Sequence, residues 1–273
     1  RNNMPATSIR DVVIKNNDIV AGTHGRSFWI LDDMMPLRHI TDVSRKAPVW
    51  LFHPSNAYRV RWNLYTDTPL PQEEPAGENP PDGAILYYHL KQDTKTPVVI
   101  EIKNSHGEVV RRFSSEDPVP MQEDNNFPAY WLAPEQRVST KAGTHRLIWD
   151  LRHTPLNTEP EFSIAAVYGK TAPSPTSPLV MPGFYSVVLS ANGLTMGESL
   201  TVVMDPRVHM TDAEIKDQFD LSMRCYEIRK DGLRILHTLQ SWREHIEKNL
   251  KQLKNKSDEL NKFLRFIDVI EKG

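Results

Sequence analysis

Prolines outnumber glycines in this chain, 21 to 12, and that imbalance narrows the possible folds more than any other feature. Each proline fixes φ and removes a backbone donor, so a chain this rich in proline is cut into short extended runs joined by loops, and a helical bundle is disfavoured. The balance of 39% hydrophobic to 25% charged residues is that of a globular chain, and 273 residues suffice for one large domain or two modest ones. A formal net charge of −2 gives no overall pull toward nucleic acid or anionic lipid. No apolar run approaches the length of a membrane span.

The middle of the chain has the period of half-buried strands. Val98, Ile100 and Ile102 alternate with Val99, Glu101 and Lys103, and Leu147, Trp149 and Leu151 share one face. Residues 84–90 and 108–113 add two more candidate strands. Two others, 184–190 and 199–204, flank Asn192-Gly193, a pair suited to the positive φ angles of a tight hairpin turn. Proline-bearing loops separate them. Six or seven such strands over residues 83–205 fit an Ig-like β-sandwich, with Trp149 in its core. Ahead of it, residues 48–82 read as an aromatic stretch followed by a Pro-rich linker. Residues 1–47 contain an N-terminal β-hairpin over 9–31, split at Gly22-Thr23-His24-Gly25.

The pattern changes after Asp205-Pro206. Thr211 and Glu214 have the spacing of a capping box. Apolar or small residues then recur from Leu221 to Leu253 at steps of three or four, the stripe of one long amphipathic helix. A break near Ser257 precedes a second stripe on Leu260, Phe263, Leu264, Ile267 and Ile270. Residues 206–273 are therefore expected to form an α-helical hairpin. Cys225, the only cysteine, excludes an intrachain disulfide. Its place on the helical stripe predicts a small buried apolar residue. The fold class expected from all this is mainly β with a C-terminal helical part.

Several of these segments also resemble a family. Residues 5–14 (PATSIRDVVI) and 22–33 (GTHGRSFWILDD) resemble the last blade of secreted bacterial propeller proteins with sortilin-like, neuraminidase-type repeats, often labelled glycosyl hydrolases. Residues 75–85 (PAGENPPDGAI) resemble the linker after that propeller. Residues 143–150 (GTHRLIWD) and 182–189 (PGFYSVVL) resemble Ig-like domains of the flagellar hook-capping type. Residues 204–207 (MDPR) and 217–222 (DQFDLS) resemble the start of the family's C-terminal helices. The resemblance implies that the chain is a fragment, its hairpin a propeller remnant whose other blades lie upstream. It also implies an extracytoplasmic, periplasmic or secreted, location. The hydrolase label belongs to the propeller, and fold alone does not establish function.

Local chemistry is sparse. Glycoside hydrolysis needs two carboxyl groups about 5–10 Å apart across a bond; Asp32-Asp33 and Glu73-Glu74 are adjacent pairs, the first expected on opposite faces of a strand and the second solvated in a Pro-rich linker. There is no Gly-x-Ser-x-Gly elbow, no His-Glu-x-x-His and no Cys-x-x-Cys, so neither a serine nucleophile nor a zinc site is indicated. No Gly-rich loop follows a strand, so no nucleotide cofactor is implied. The candidate ligand contacts are aromatic: Trp62, Tyr130 and Trp131 could stack on sugar rings, and His24 sits between two glycines. The alternative for each is a structural role, sealing a junction or closing a blade. The expectation is a non-catalytic scaffold that braces a propeller or mediates assembly, with self-association through the N-terminal hairpin or the helices. The alternatives are a hydrolase fragment that contributes to a carbohydrate-active site and a carbohydrate-binding module.

Overall fold

A computed structural model describes residues 4–60, 73, 77, 80–118, 136–156, 177–252 and 258–272; in the two long helices, side chains are described for 212–248 and 262–269. The fold is mainly β, in three sheets, with a C-terminal helical part. Two compact units are distinguishable, Arg1–Thr211 and Asp212–Gly273.

The first unit opens with an antiparallel meander of β1 (Ile9–Lys15), β2 (Asp18–Thr23) and β3 (Phe28–Leu31). The sequence reading predicted a hairpin here; the structure has three strands. The reason lies in residues 22–27, which make a second chain reversal. Thr23 N–H donates to the Ser27 carbonyl at 3.2 Å, and Gly25 and Ser27 adopt positive φ of 73° and 60°. Two short helices follow, α1 (Met35–Arg38) and α2 (Asp42–Lys46), the second started by a reciprocal Thr41–Ser44 cap.

The rest of the unit holds two sheets. One has the order β4 (Val49–Leu51), β6 (Ala84–Leu90), β9 (Gly143–Trp149). The other has the order β5 (Ala57–Arg59), β11 (Leu194–Met204), β10 (Gly183–Ala191), β7 (Val99–Lys103), β8 (Val109–Ser114). Only the β5–β11 pairing is parallel among the described strands. The segment expected to be a linker thus supplies β4 and β5, one strand to each sheet. Alternation sets the buried faces: in β6, Ala84, Leu86, Tyr88 and Leu90 point inward and the residues between them are half-exposed. Side chains from both sheets form a single apolar cluster. Trp149 is fully buried in it and meets Tyr185 edge-on, with ring centroids 5.6 Å apart. The β10–β11 turn is the one its sequence predicts, with Asn192 and Gly193 at φ 52° and 72°. Gly83 is required where β6 begins, because a Cβ there would lie 2.0 Å from the Trp149 carbonyl oxygen.

The second unit consists of α3 (Asp212–Gln252) and α4 (Asp258–Lys272), of 41 and 15 residues. At 1.5 Å per residue they are about 60 and 22 Å long. Trp242 meets Phe263 at 6.2 Å between ring centroids, and Arg243 is ion-paired with Asp268. Leu239 and Ile267 are buried. Cys225 is exposed, against the expectation of a buried thiol. The cause is length: α4 meets α3 around Trp242, some 25 Å along the helix from Cys225. No helix among the described residues is long and apolar enough to cross a membrane.

Candidate functional site

The register of the meander decides what its sheet presents. Val12 pairs with Ala21 and that with Trp29; Ile14 pairs with Ile19 and that with Leu31. Paired residues share a face, so these six form one face. Val13, Val20 and Ile30 lie on the other, with Phe28 two residues from Ile30. Both faces are apolar and both are open: Val12 and Ile14 are 54% and 55% exposed on the first, Phe28 and Ile30 76% and 60% on the second. Sheets with one solvated face alternate apolar with polar residues, whereas strands covered on both faces read as continuous apolar runs. β3 (FWIL) and the Val12–Ile14 run of β1 have the composition of the second kind, while Arg10, Asp11 and Lys15 put charge toward the ends of β1.

A polar clasp joins this sheet to the rest of its unit. Asn17, in the β1–β2 turn, donates through Nδ2 to Ser55 Oγ at 2.9 Å, and Ser55 donates to Asp33 Oδ1 at 2.8 Å. Ser55 lies between β4 and β5, so the chain of bonds runs from the meander to the strands of both larger sheets. The Met35 N–H also donates to Asp33 Oδ1, at 3.2 Å, and the Asp33 N–H donates to Asp18 Oδ1 at 2.9 Å. Asp33 is only 6% exposed and holds a left-handed φ of 57°, a conformation that aspartate tolerates better than most residues. Its second oxygen, Oδ2, is buried and accepts no hydrogen bond.

Charge accumulates around the clasp. Burial pushes the Asp32 carboxyl above the usual carboxylate range; Arg146 opposes that shift, and Asp18 and Asp33 add to it. Burial likewise raises the Tyr87 phenol, again with Arg146 opposing and Asp33 and Asp32 adding. Tyr87 and Arg146 are cross-strand partners on β6 and β9, which puts one cation beside the acidic end of the meander. Nearby on the same chain segment, His53 Nδ1 lies 3.0 Å from Glu198 Oε2. Among the described residues, no three His, Cys, Asp or Glu side chains are arranged to hold a metal ion.

The four candidates from sequence are placed as follows. His24 is exposed in the β2–β3 turn, and its backbone is engaged: its N–H donates to the Ser8 carbonyl at 2.9 Å and its carbonyl accepts from Thr7 Oγ1 at 3.4 Å. Trp62, Tyr130 and Trp131 lie outside the described residues. In the aromatic stretch before Trp62, Tyr58 points outward from β5 and Arg59 inward. Asp32 and Asp33, expected as strand neighbours on opposite faces, lie just after β3 instead, one half-buried and one buried. The clasp itself went unseen. Asn16-Asn17-Asp18 signals a turn, but no local pattern links residue 17 to residue 55. Comparison with family models, curated proteins and solved structures finds no match to the chain.

Proposed function

We propose that the chain is a non-catalytic accessory region of a secreted, propeller-containing protein, in which β1–β3 serves as a blade element and the two-sheet body braces it. The observation that carries this reading is the meander with two apolar faces. Such a sheet is stable when covered on both sides, the situation of a blade between its neighbours. The clasp of Asn17, Ser55 and Asp33 supplies the brace. The resemblance of residues 5–14 and 22–33 to a terminal blade favours the same assignment. The body fits an Ig-like sandwich: Trp149 fills the core, and Tyr185, two residues into β10, donates its hydroxyl to the Met181 carbonyl at 2.7 Å, the corner device of that architecture.

The test places a charge on each apolar face in turn, Val13→Asp with Ile30→Asp and Val12→Asp with Leu31→Asp, in the protein as produced by its source. Both pairs should abolish assembly into a protease-resistant particle, while the chain alone keeps its unfolding midpoint. Wild-type protease resistance in both variants would refute the reading.

One observation favours a hydrolase fragment: Asp18, Asp32 and Asp33 gather beside Arg146 and Tyr87, with the Asp32 carboxyl raised by burial. That reading requires turnover of chromogenic glycosides that is lost in Asp32→Asn. The accessory reading requires no turnover in either.

A further inference from the structure

The stripe on α3 runs from Leu221 through Cys225, Ile228, Gly232 and Ile235 to Leu239 in alternating steps of four and three. From Leu221 to Ile235 the mean step is 3.5, the seam period of a two-stranded coiled coil, narrower than the face of a helix that packs on a globular core. The two ends of this seam differ. Leu239 is buried and Trp242 meets Phe263 of α4, so the C-terminal part is already a helix–helix contact. A shallow depression of about 390 Å³ lined by Arg234, Ile235, Thr238, Leu239 and Trp242 marks where the cover stops. Beyond it the seam is bare: Leu221 and Ile228 are 62% and 70% exposed, and Cys225 is exposed between them.

We propose that this bare half of the seam pairs antiparallel with the same segment of a second copy of the chain, continuing the contact that α4 begins. The flanking charges select the occupant and its direction. Along one edge of the seam the residues at seven-residue intervals are Asp217, Arg224 and Asp231; the other edge carries Ser222 and Arg229. In a parallel pair, Arg224 would face the partner's Arg229, a like-charge contact at the position that sets partner choice. Set antiparallel, with Cys225 against the partner's Ile228 and Leu221 against the partner's Gly232, Arg224 comes opposite the partner's Asp231. The two-fold axis repeats that pair, and Arg229 falls opposite the partner's Ser222. Gly232 leaves room for the facing leucine, since a Cβ there would meet nothing within 4 Å. The existing Asp231–Arg234 pair spans one turn on the solvent side, with side chains 64% and 77% exposed, and exchanges readily for the new partner.

Sedimentation velocity of the full chain from about 1 to 200 μM tests this. The mass should rise from 31.3 kDa toward twice that value with concentration. Ile228→Glu should leave a monomer throughout; Ile228 is mostly exposed, so the substitution leaves the monomer's fold intact. Arg224→Asp should weaken association roughly tenfold, through two like-charge contacts per dimer, and Arg224→Asp with Asp231→Arg should restore it to within about threefold. A monomer at every concentration would overturn the proposal, as would a dimer indifferent to Ile228→Glu, which would place the contact elsewhere, such as on the β1–β3 sheet. Failure of the charge exchange to restore association would overturn the antiparallel register.

Discussion

Replacing Ser55 with alanine should loosen the β1–β3 sheet without touching a residue in it. Ser55 Oγ accepts from Asn17 and donates at 2.8 Å to Asp33 Oδ1. Asp33 is almost fully buried and its Oδ2 already lacks a donor. Without Ser55, the carboxylate keeps only the longer bond from the Met35 N–H. A hydrogen bond to a charged group contributes about 1.5–3 kcal/mol, and stranding a buried partner adds to the loss. A cost of about 2–3 kcal/mol confined to this junction corresponds to roughly 30–150-fold more frequent opening. Hydrogen exchange followed by mass spectrometry reads it directly: the peptide over 17–33 should lose protection by that factor, while the peptide over β10 exchanges as before. Ser55→Thr, which keeps the hydroxyl, should behave nearly as wild type. Unchanged protection over 17–33, or equal loss in β10, would refute the idea that the clasp is a local brace.

Other outcomes follow from the core and its titrating groups. Gly83→Ala should lower the urea midpoint sharply, by at least about 3 kcal/mol of stability, because the backbone must shift by about 1 Å to clear the Trp149 carbonyl and alanine is strained at φ 124°. Tyr88→Phe should cost about 1–3 kcal/mol, since the hydroxyl accepts from the Ser139 N–H at 2.6 Å and donates to the Ser139 carbonyl at 3.0 Å. Burial pushes the Tyr88 and Tyr185 phenols up to about 12 from 10.0, so the folded state favours their neutral forms. Their stabilisation is complete below pH 10 and falls as pH rises toward 12, a slope that Tyr88→Phe should flatten in urea titrations. At the acid end, hydrogen bonds from the Arg207 side chain and then its backbone hold Asp205 down at about 2, from 3.8. That contribution is present above about pH 4 and lost toward pH 2, so Asp205→Asn should remove part of the acid-side slope.

The body was legible wherever local pattern and tertiary environment agree. Alternation in β6 and β7, the Asn192-Gly193 turn and the in-phase partners of Trp149 each state a face or a reversal within a few residues. β4 and β5 were missed because three-residue strands carry no period, and their partners are dozens of residues away. The third strand of the meander was hidden by glycines that look like a break in one strand and instead turn the chain. Cys225 was misplaced for a different reason: periodicity shows that a helix has an apolar stripe, not what covers it. The clasp lay beyond reach because Asn17, Asp33 and Ser55 are each ordinary turn or loop residues. Burial of Asp33 is a tertiary fact that no neighbouring residue announces.

If β1–β3 is the blade element proposed above, both of its faces are covered by neighbouring sheet in the protein isolated from its source. Hydroxyl-radical footprinting compares the chain alone with the protein isolated from its source. Val12, Ile14 and Leu31, and Val13, Phe28 and Ile30, should label strongly in the chain alone, and both sets should be protected in the isolated protein. Equal labelling of either set in the two preparations would contradict it.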